Sequence, residues 1–272
     1  MGLSTAKSRD MFPSEPLVKI YRYSDGVSPA YALENDRGTF RASGSSLENL
    51  GKERASEPVS ISDVPLLAPV APGKIVAVGR NYADHAKELG NAPPAEPIIF
   101  LKPPSALLAP GGSIEIPPIS QRVDFEGELA IVMGRRARRV PEHEWRDYVL
   151  GFTCANDVTA RDIQKRDVQF TRGKSFDTFL PLGPCIETDL DVSDLSLRTR
   201  VNGEVRQDGR TSQMIFPPSF IVAFVSSVMT LEAGDVILTG TPAGVGPLAS
   251  GDVVEVEIEG IGTLRNSVER GS

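Results

Sequence analysis

The segment from Val123 to Met133, VDFEGELAIVM, contains the residues with the clearest chemical potential. In one continuous strand, alternate side chains share a face, which places Asp124, Glu126 and Glu128 together and the intervening apolar residues opposite. The second half, LAIVM, is apolar on both faces and is therefore predicted to be buried. Carboxylates at such a position repel each other unless a cation lies between them. Oxygen ligands suit a hard ion such as Mg²⁺, Mn²⁺ or Ca²⁺.

Asp157 is the third candidate ligand, because it ends the apolar segment GFTCAND and could complete a set of carboxylates there. Two alternatives remain open from the pattern. The acidic strand could be an edge strand with a solvated face, and a single aspartate at a strand end is more often a turn or helix cap. The alternating glutamates of VVEVEIEG lack apolar cover on their half of the strand, and we interpret them as a solvated face.

A short helix is predicted over Tyr82–Leu89, with Asn81 as its N-cap and Gly90 just beyond its end. Its residues His85 and Glu88 are three apart and therefore lie on one helical face. A carboxylate beside an imidazole fixes the tautomer and raises the basicity of the ring, as a general base acting on water requires. The alternative is a solvated His–Glu pair on the protein surface.

Further polar residues could bind an anionic substrate. Lys174 is flanked by an aromatic-rich segment that could draw it into a pocket, although most lysines are solvated. Arg161 and Gln164 lie one helical turn apart after Asp157. The loop TGTPAGVG matches neither the P-loop motif, which ends in GK[ST], nor the GxGxxG motif. Its backbone N–H groups or the Thr241 hydroxyl could still bind an oxyanion, and a plain glycine-rich connection is the alternative.

The elements that must position these residues are mainly strands separated by Pro and Gly turns. The predicted strands are KIVAVG, PIIFLK, SIEI, ELAIVMG, VLGFTCAND, DVILTG and VVEVEIEG. A doubly wound sheet would need regularly alternating strands and helices, which this pattern does not provide. A second helix is predicted over Pro218–Met229, with Phe220, Phe224 and Val228 as a core-facing stripe. These features predict a β-rich α+β fold.

Length and proline spacing predict the domain organisation. A chain of 272 residues can form one large domain and a small one. Residues 1–15 are predicted to be a tail, residues 16–72 a small N-terminal domain, and residues 73–272 the main domain. The boundary is placed at the proline-rich segment LAPVAPGK.

Composition argues against several classes of function. The net charge of −7 argues against a nucleic-acid or anionic-membrane partner. No apolar run is long enough to cross a bilayer. The two cysteines lack CxxC spacing, which argues against a disulfide framework or zinc site and favours a reducing, cytoplasmic setting. Of the only two histidines, His143 lies in the polar segment PEHEWRD and is interpreted as a surface residue.

Taken together, these segments resemble the fumarylacetoacetate hydrolase family. The resemblance rests on GRNYADHAKELG, FLKP, DFEGELAIVMG, NDVTARDIQ, RGKSFDTFLPLGP, VNGEVRQDG, ILTGTPAGVG and GDVVEVEIEGIG, which occur in this order. It implies a catalytic domain of the mixed β-sandwich or roll type, a small variable N-terminal domain, and a homodimer.

The resemblance also implies roles for individual residues. Glu126, Glu128 and Asp157 match the ligands of Mg²⁺ or Mn²⁺, and His85 and Glu88 match the catalytic dyad. Lys174 is expected to act in catalysis. The substrate-binding positions correspond to Arg80, Arg161, Gln164 and Thr241. Lys102 and Asp124 lie in matching segments without an assigned role.

The expected reaction is metal-dependent hydrolysis of a C–C bond in an acylpyruvate-type 2-oxo acid, with a pyruvate enolate stabilised by the ion. Oxaloacetate decarboxylation and isomerisation of a 2-hydroxyhepta-2,4-diene-1,7-dioate-type diacid are alternatives at the same site, because all three reactions share an enolate. A ligand-binding or structural β-domain without activity is the remaining alternative, and it requires the acid, base and cation set to be accidental.

Overall fold

The computed structural model describes residues 19–42, 47, 50 and 57–271. The predicted tail therefore lies outside the described residues. The strands are β1 (Lys19–Ser24), β2 (Pro29–Asn35), β3 (Gly38–Arg41), β4 (Ile75–Gly79), β5 (Ile98–Lys102), β6 (Leu107–Leu108), β7 (Ser113–Ile116), β8 (Val123–Phe125), β9 (Gly127–Met133), β10 (Val149–Asn156), β11 (Thr159–Ala160), β12 (Leu180–Glu187), β13 (Ser196–Val201), β14 (Glu204–Arg210), β15 (Val236–Leu238), β16 (Gly246–Pro247), β17 (Val253–Ile258) and β18 (Gly262–Arg270). The helices are α1 (Ala83–Glu88), α2 (Arg161–Asp167), α3 (Thr171–Lys174) and α4 (Pro218–Val228).

The strands form three sheets, which confirms the predicted β-rich α+β class. The largest sheet follows the order β3-β2-β1-β12-β10-β9-β15-β4-β5, with β6 paired to β12. A three-stranded sheet has the order β11-β8-β16, and a five-stranded sheet has the order β14-β13-β17-β18-β7. Strands β9 and β10 are antiparallel neighbours in the interior of the largest sheet. Glu126, which precedes β9, and Asp157, which follows β10, therefore lie at the same end of this strand pair.

Strand β9 is buried along its whole length, as predicted from its apolar sequence. Ala130 and Val132 pack into one hydrophobic cluster, while Leu129 and Ile131 pack into another. The largest sheet is therefore covered on both faces at this strand. Burial on both faces explains why the strand sequence shows no alternation between apolar and polar residues.

Helix α4 forms where it was predicted, but the predicted core stripe is wrong. Its buried apolar side chains are Ile221, Val222 and Val225. Phe220 and Phe224 are only partly buried, and Val228 is 58% exposed. The Phe220 ring stacks instead on Phe224, at a centroid separation of 6.3 Å. Both stripes have near-helical spacing, so the sequence did not reveal which of the two faces the core.

The N-terminal strands extend the largest sheet rather than forming a sheet of their own. Strand β1 pairs antiparallel with β12 through Lys19 and Ile20, and with β2 on its other side. The predicted boundary near residue 72 and the predicted homodimer stay predictions. No helix among the described residues combines the length and apolar character that crossing a membrane would require.

Candidate active site

The segment Val123–Met133 forms two strands rather than one, because the strand is interrupted at Glu126. Strand β8 ends at Phe125 and pairs with β11 and β16, whereas β9 begins at Gly127 and pairs with β10 and β15. Phe125 consequently packs in the same cluster as Ala130, although uninterrupted alternation would place them on opposite faces. The prediction of one continuous strand is therefore wrong at this position.

The break brings Asp157 next to Glu126. The backbone N–H of Glu126 donates to Asn156 Oδ1 at 2.9 Å, and the Asp157 N–H donates to the Glu126 carbonyl oxygen at 2.8 Å. These bonds satisfy backbone groups that the interrupted ladder leaves free. The end of β10 and the start of β9 are thereby held together, with their carboxylates adjacent.

Glu126, Glu128 and Asp157 form the three-carboxylate cluster that the sequence predicts. One oxygen from each side chain lies within 4.8 Å of the others, and all three residues are buried. Within the described part of the chain, no other group of His, Cys, Asp or Glu side chains meets this geometry. The solvated-face interpretation of the acidic strand is therefore excluded.

Two buried lysines neutralise part of this cluster. Lys174 Nζ donates to Glu126 Oε2 at 2.8 Å and to Asp157 Oδ2 at 2.6 Å. Lys102 Nζ donates to Asp157 Oδ1 at 2.7 Å. Burial lowers the pKa of Lys102, whereas for Lys174 the charges of Asp157 and Glu126 overcome burial and raise the pKa. Lys102 was given no role from the sequence; its position at the end of the apolar strand β5 was the available signal.

Arg161 connects the cluster to Asp124. Its guanidinium donates to Asp124 Oδ2 at 2.9 Å, to Gln164 Oε1 at 2.8 Å, and to Glu126 Oε1. Burial opposes ionisation of Glu126, but the positive charges of Lys174 and Arg161 lower its pKa below the usual value. Arg161 is therefore occupied by protein carboxylates, and its predicted role in substrate binding stays a prediction.

Glu128 differs from the other two acids because no cationic side chain among the described residues forms an ion pair with it. Its Oε2 accepts a hydrogen bond from the Gly240 N–H at 2.6 Å. Burial and the nearby charges of Asp157 and Glu126 raise the pKa of Glu128 well above its usual value. The all-oxygen donor set and this uncompensated carboxylate fit a hard divalent cation, so Mg²⁺ or Mn²⁺ is compatible with the residues present.

The His85–Glu88 pair lies on helix α1, close to the carboxylate cluster. His85 Nδ1 is 3.2 Å from Glu88 Oε2, with side-chain exposures of 4% and 33%, respectively. Glu88 Oε1 also accepts the Gly244 N–H at 3.1 Å. The burial of His85 excludes the solvated surface pair, in contrast to His143, which is 81% exposed as predicted.

The N-terminal end of α1 differs from the prediction, whereas its C-terminal end agrees with it. Asn81 is not the N-cap, because Tyr82 occupies that position without a side-chain cap. The Asn81 amide instead donates to the Thr239 carbonyl at 2.7 Å and accepts the Phe216 N–H at 2.8 Å, so it ties the helix to two neighbouring segments. Gly90 follows the helix with φ +72°, as predicted for a glycine at this end.

One cavity of about 650 Å³ contains this chemistry. Every predicted site residue except Glu128 lines it: Arg80, His85, Glu88, Glu126, Asp157, Arg161, Gln164, Lys174 and Thr241. The Thr241 hydroxyl donates to the Gly127 carbonyl at 2.8 Å and accepts from Gln207, so it stabilises the cavity wall. Arg80 and Lys165 also line the cavity, and within the described residues neither makes an ion pair.

The fold and this site define a member of a known enzyme family. Residues 74–269 match the family described as Fumarylacetoacetate (FAA) hydrolase C-terminal, and the chain belongs to this family. The resemblance seen in the sequence is thus confirmed. The family consists of enzymes, so the interpretation as a structural domain without activity is not retained.

Three relatives illustrate the range of reactions. Human oxaloacetate tautomerase FAHD2A, mitochondrial, is 47% identical over 220 residues, which cover 76% of this chain and 70% of the relative. The 2-hydroxyhepta-2,4-diene-1,7-dioate isomerase from Mycobacterium marinum is 44% identical with a TM-score of 0.85, covering 94% and 99% of the two chains. Fumarylacetoacetate hydrolase from Exiguobacterium antarcticum is 39% identical with a TM-score of 0.83, covering 93% and 100%.

Proposed function

We propose that this protein is a Mg²⁺- or Mn²⁺-dependent enzyme that interconverts the keto and enol forms of a short 2-oxo diacid of the oxaloacetate type. The observation that carries the proposal is the position of buried His85, paired with Glu88, on the cavity that also contains the three-carboxylate cluster. A single buried base beside a cation site is sufficient for proton transfer next to a carbonyl group. The similarity to a tautomerase and an isomerase supports this choice.

Glu126, Glu128 and Asp157 would hold the metal ion. When bound, the ion supplies Lewis-acid polarisation of the 2-oxo group and lowers the cost of negative charge on its oxygen. Lys174 uses two of its three protons on Glu126 and Asp157. Beyond these two bonds, Nζ has only a long hydrogen bond to the Asp157 carbonyl oxygen at 3.5 Å and a contact with the Phe100 ring at 5.4 Å, so we infer that its third proton binds a substrate carboxylate.

His85 acts as the base in this proposal. Glu88 binds Nδ1, which leaves Nε2 to take the proton from the carbon next to the 2-oxo group and to deliver it to the 2-oxo oxygen, which gives the enol; the reverse transfer restores the keto form. The Gly244 N–H holds Glu88 in place, and therefore orients the imidazole indirectly. No water needs to be activated for this reaction.

The positive charges at the cavity support a substrate with two carboxylates. Lys174 lies beside the cluster, whereas Arg80 and Lys165 line the same cavity with no ion pair within the described residues. A second carboxylate on the substrate would give these side chains a partner. We infer that Arg80 and Lys165 bind the carboxylate that lies farther from the ion.

C–C hydrolysis of an acylpyruvate, the reaction expected from the sequence, is the second candidate. It is supported by the same buried His85, which could remove a proton from water instead of from carbon. The similarity to fumarylacetoacetate hydrolase also favours it.

A substrate panel with added Mg²⁺ or Mn²⁺ distinguishes the candidates by their products. In D₂O, the proposed reaction accelerates proton exchange at the methylene carbon of oxaloacetate without changing the carbon skeleton. Decarboxylation would release pyruvate and CO₂, and hydrolysis of an acylpyruvate would yield two acids. Acceleration of acylpyruvate cleavage with no effect on oxaloacetate exchange would contradict the proposal and favour the second candidate.

A further inference from the structure

The Gln207 side chain is fully buried although it lies on β14, in the five-stranded sheet outside the cavity. Its amide forms three hydrogen bonds. Gln207 Oε1 accepts the Gly127 N–H at 3.0 Å, and Nε2 donates to Thr241 Oγ1 at 2.8 Å and to the Pro242 carbonyl at 2.7 Å. A buried amide with both ends engaged is held in one orientation.

One end of this amide binds the start of β9, in the segment 126–128 that carries two metal-ligand candidates. Gly127 lies between Glu126 and Glu128 in the chain, so its N–H position is linked to both carboxylates. A Cβ at Gly127 would lie 2.2 Å from Thr199 Oγ1, which shows how closely this segment approaches the five-stranded sheet. A larger residue would therefore displace Thr199 and disturb the contact with Gln207.

The other end binds the loop that follows β15. In this loop, the Gly240 N–H donates to Glu128 at 2.6 Å, and the Gly244 N–H donates to Glu88 at 3.1 Å. A Cβ at Gly244 would lie 2.1 Å from the Arg206 carbonyl oxygen, so this part of the loop also rests on β14. One strand thus supports both a ligand of the cation site and the partner of the predicted base.

We propose that Gln207 is a positioning residue that fixes the segment 126–128 and the loop 240–244 relative to each other. It contacts neither the cavity nor a carboxylate oxygen, and acts through Gly127, Thr241 and Pro242. The consequence for metal binding rests on the proposed function. The structural consequence, which is protection of the backbone groups in both segments, does not depend on it.

The test compares Gln207→Ala with Asn266→Ala in the full-length chain. Asn266 is a matched control, because its buried amide also donates two hydrogen bonds, in this case to the backbone carbonyls of Ala109 and Gly112, at 2.9 and 3.0 Å. The measurements are Mn²⁺ affinity by calorimetry, thermal stability, and amide hydrogen exchange resolved to the two segments.

Gln207→Ala is expected to weaken Mn²⁺ binding by at least about tenfold, a loss typical of removing a residue that orients metal ligands. It is also expected to speed exchange at Gly127, Gly240 and Gly244. Asn266→Ala is expected to lower thermal stability to a similar degree while retaining Mn²⁺ affinity and exchange in these segments.

Unchanged exchange in both segments of Gln207→Ala, or Mn²⁺ affinity equal to that of Asn266→Ala, would overturn the proposal. If the wild-type protein binds no Mn²⁺, the proposed function fails, and the exchange data alone decide whether Gln207 positions these segments. The two failures are therefore distinguishable.

Discussion

Lys174 Nζ lies 2.6 Å from Asp157 Oδ2, and both side chains are almost completely removed from solvent. The same ammonium group also contacts Glu126, so one lysine forms ion pairs with two of the three carboxylates at the candidate metal site. Lys102 adds a second cation on the other Asp157 oxygen. The site thus combines a cluster of anions with buried cations, and we expect their balance to set both stability and affinity for an ion.

Replacing Lys174 tests this balance. Lys174→Met is expected to lower the free energy of unfolding in the metal-free protein, by less than the roughly 3–5 kcal/mol typical of a broken buried ion pair. The loss is smaller because Lys102 and Arg161 still neutralise the acids. Thermal melting with and without Mn²⁺ should show a larger metal-induced stabilisation in the variant than in the wild type. A smaller stabilisation would contradict this electrostatic account.

The two glutamates are expected to differ in their effects on stability. Glu126→Gln removes one carboxylate partner from both Arg161 and Lys174 and should destabilise the metal-free protein by more than about 1 kcal/mol, but by less than the roughly 3–5 kcal/mol of a fully broken buried pair. Glu128→Gln removes no ion pair and keeps an acceptor for the Gly240 N–H, so the expected change is within about 1 kcal/mol. Chemical denaturation after chelation of metal measures the free energy of unfolding of both variants. Equal losses of this free energy would show that Glu128 is also neutralised by a cation.

His85 and Glu88 are expected to affect turnover rather than metal binding. His85→Ala should slow proton exchange at the oxaloacetate methylene carbon by about 10²- to 10⁴-fold, the usual contribution of a positioned base. Glu88→Gln should cause a smaller loss, because Gln retains an acceptor for Nδ1. Mn²⁺ affinity, measured in parallel, should stay at the wild-type value. Full activity of His85→Ala would exclude its role as the base.

The two cysteines are predicted to be unreactive in the folded protein. Burial raises the pKa of Cys185 to about 12 and also raises the pKa of Cys154. The thiolate is the reactive form, so at pH 8 the folded protein should react very slowly with a thiol reagent. Both thiols should react after unfolding in denaturant, which serves as the control. Rapid reaction of either thiol in the native protein would be inconsistent with this burial.

The three-carboxylate cluster could be predicted from the sequence because its acids are marked by local patterns. Glu126 and Glu128 adjoin a strand that is apolar on both faces, and Asp157 ends another apolar strand. The break at Glu126 could not be predicted, because alternation continues through it. It depends on Asn156 and on β8 pairing in a different sheet, and both are consequences of tertiary structure.

The supporting residues were harder to predict for the same reason. Lys102, Asn81 and Gln207 act across separations of 55, 158 and 80 residues, respectively. Nothing in the local sequence of a polar side chain reveals such a distant partner. On α4, two apolar stripes have similar spacing, so either could face the core. Only the packing of the helix in the folded protein determines which stripe is buried.

Calorimetric titration of the metal-stripped protein with Mn²⁺, compared with Glu128→Gln, tests the central claim most directly. We predict one Mn²⁺ site per chain in the wild type, and binding that is lost in the folded Glu128→Gln variant, because the uncompensated carboxylate at the cluster is removed. A wild-type protein that binds no Mn²⁺ or Mg²⁺, or a Glu128→Gln variant that binds them as tightly as the wild type, would contradict the account.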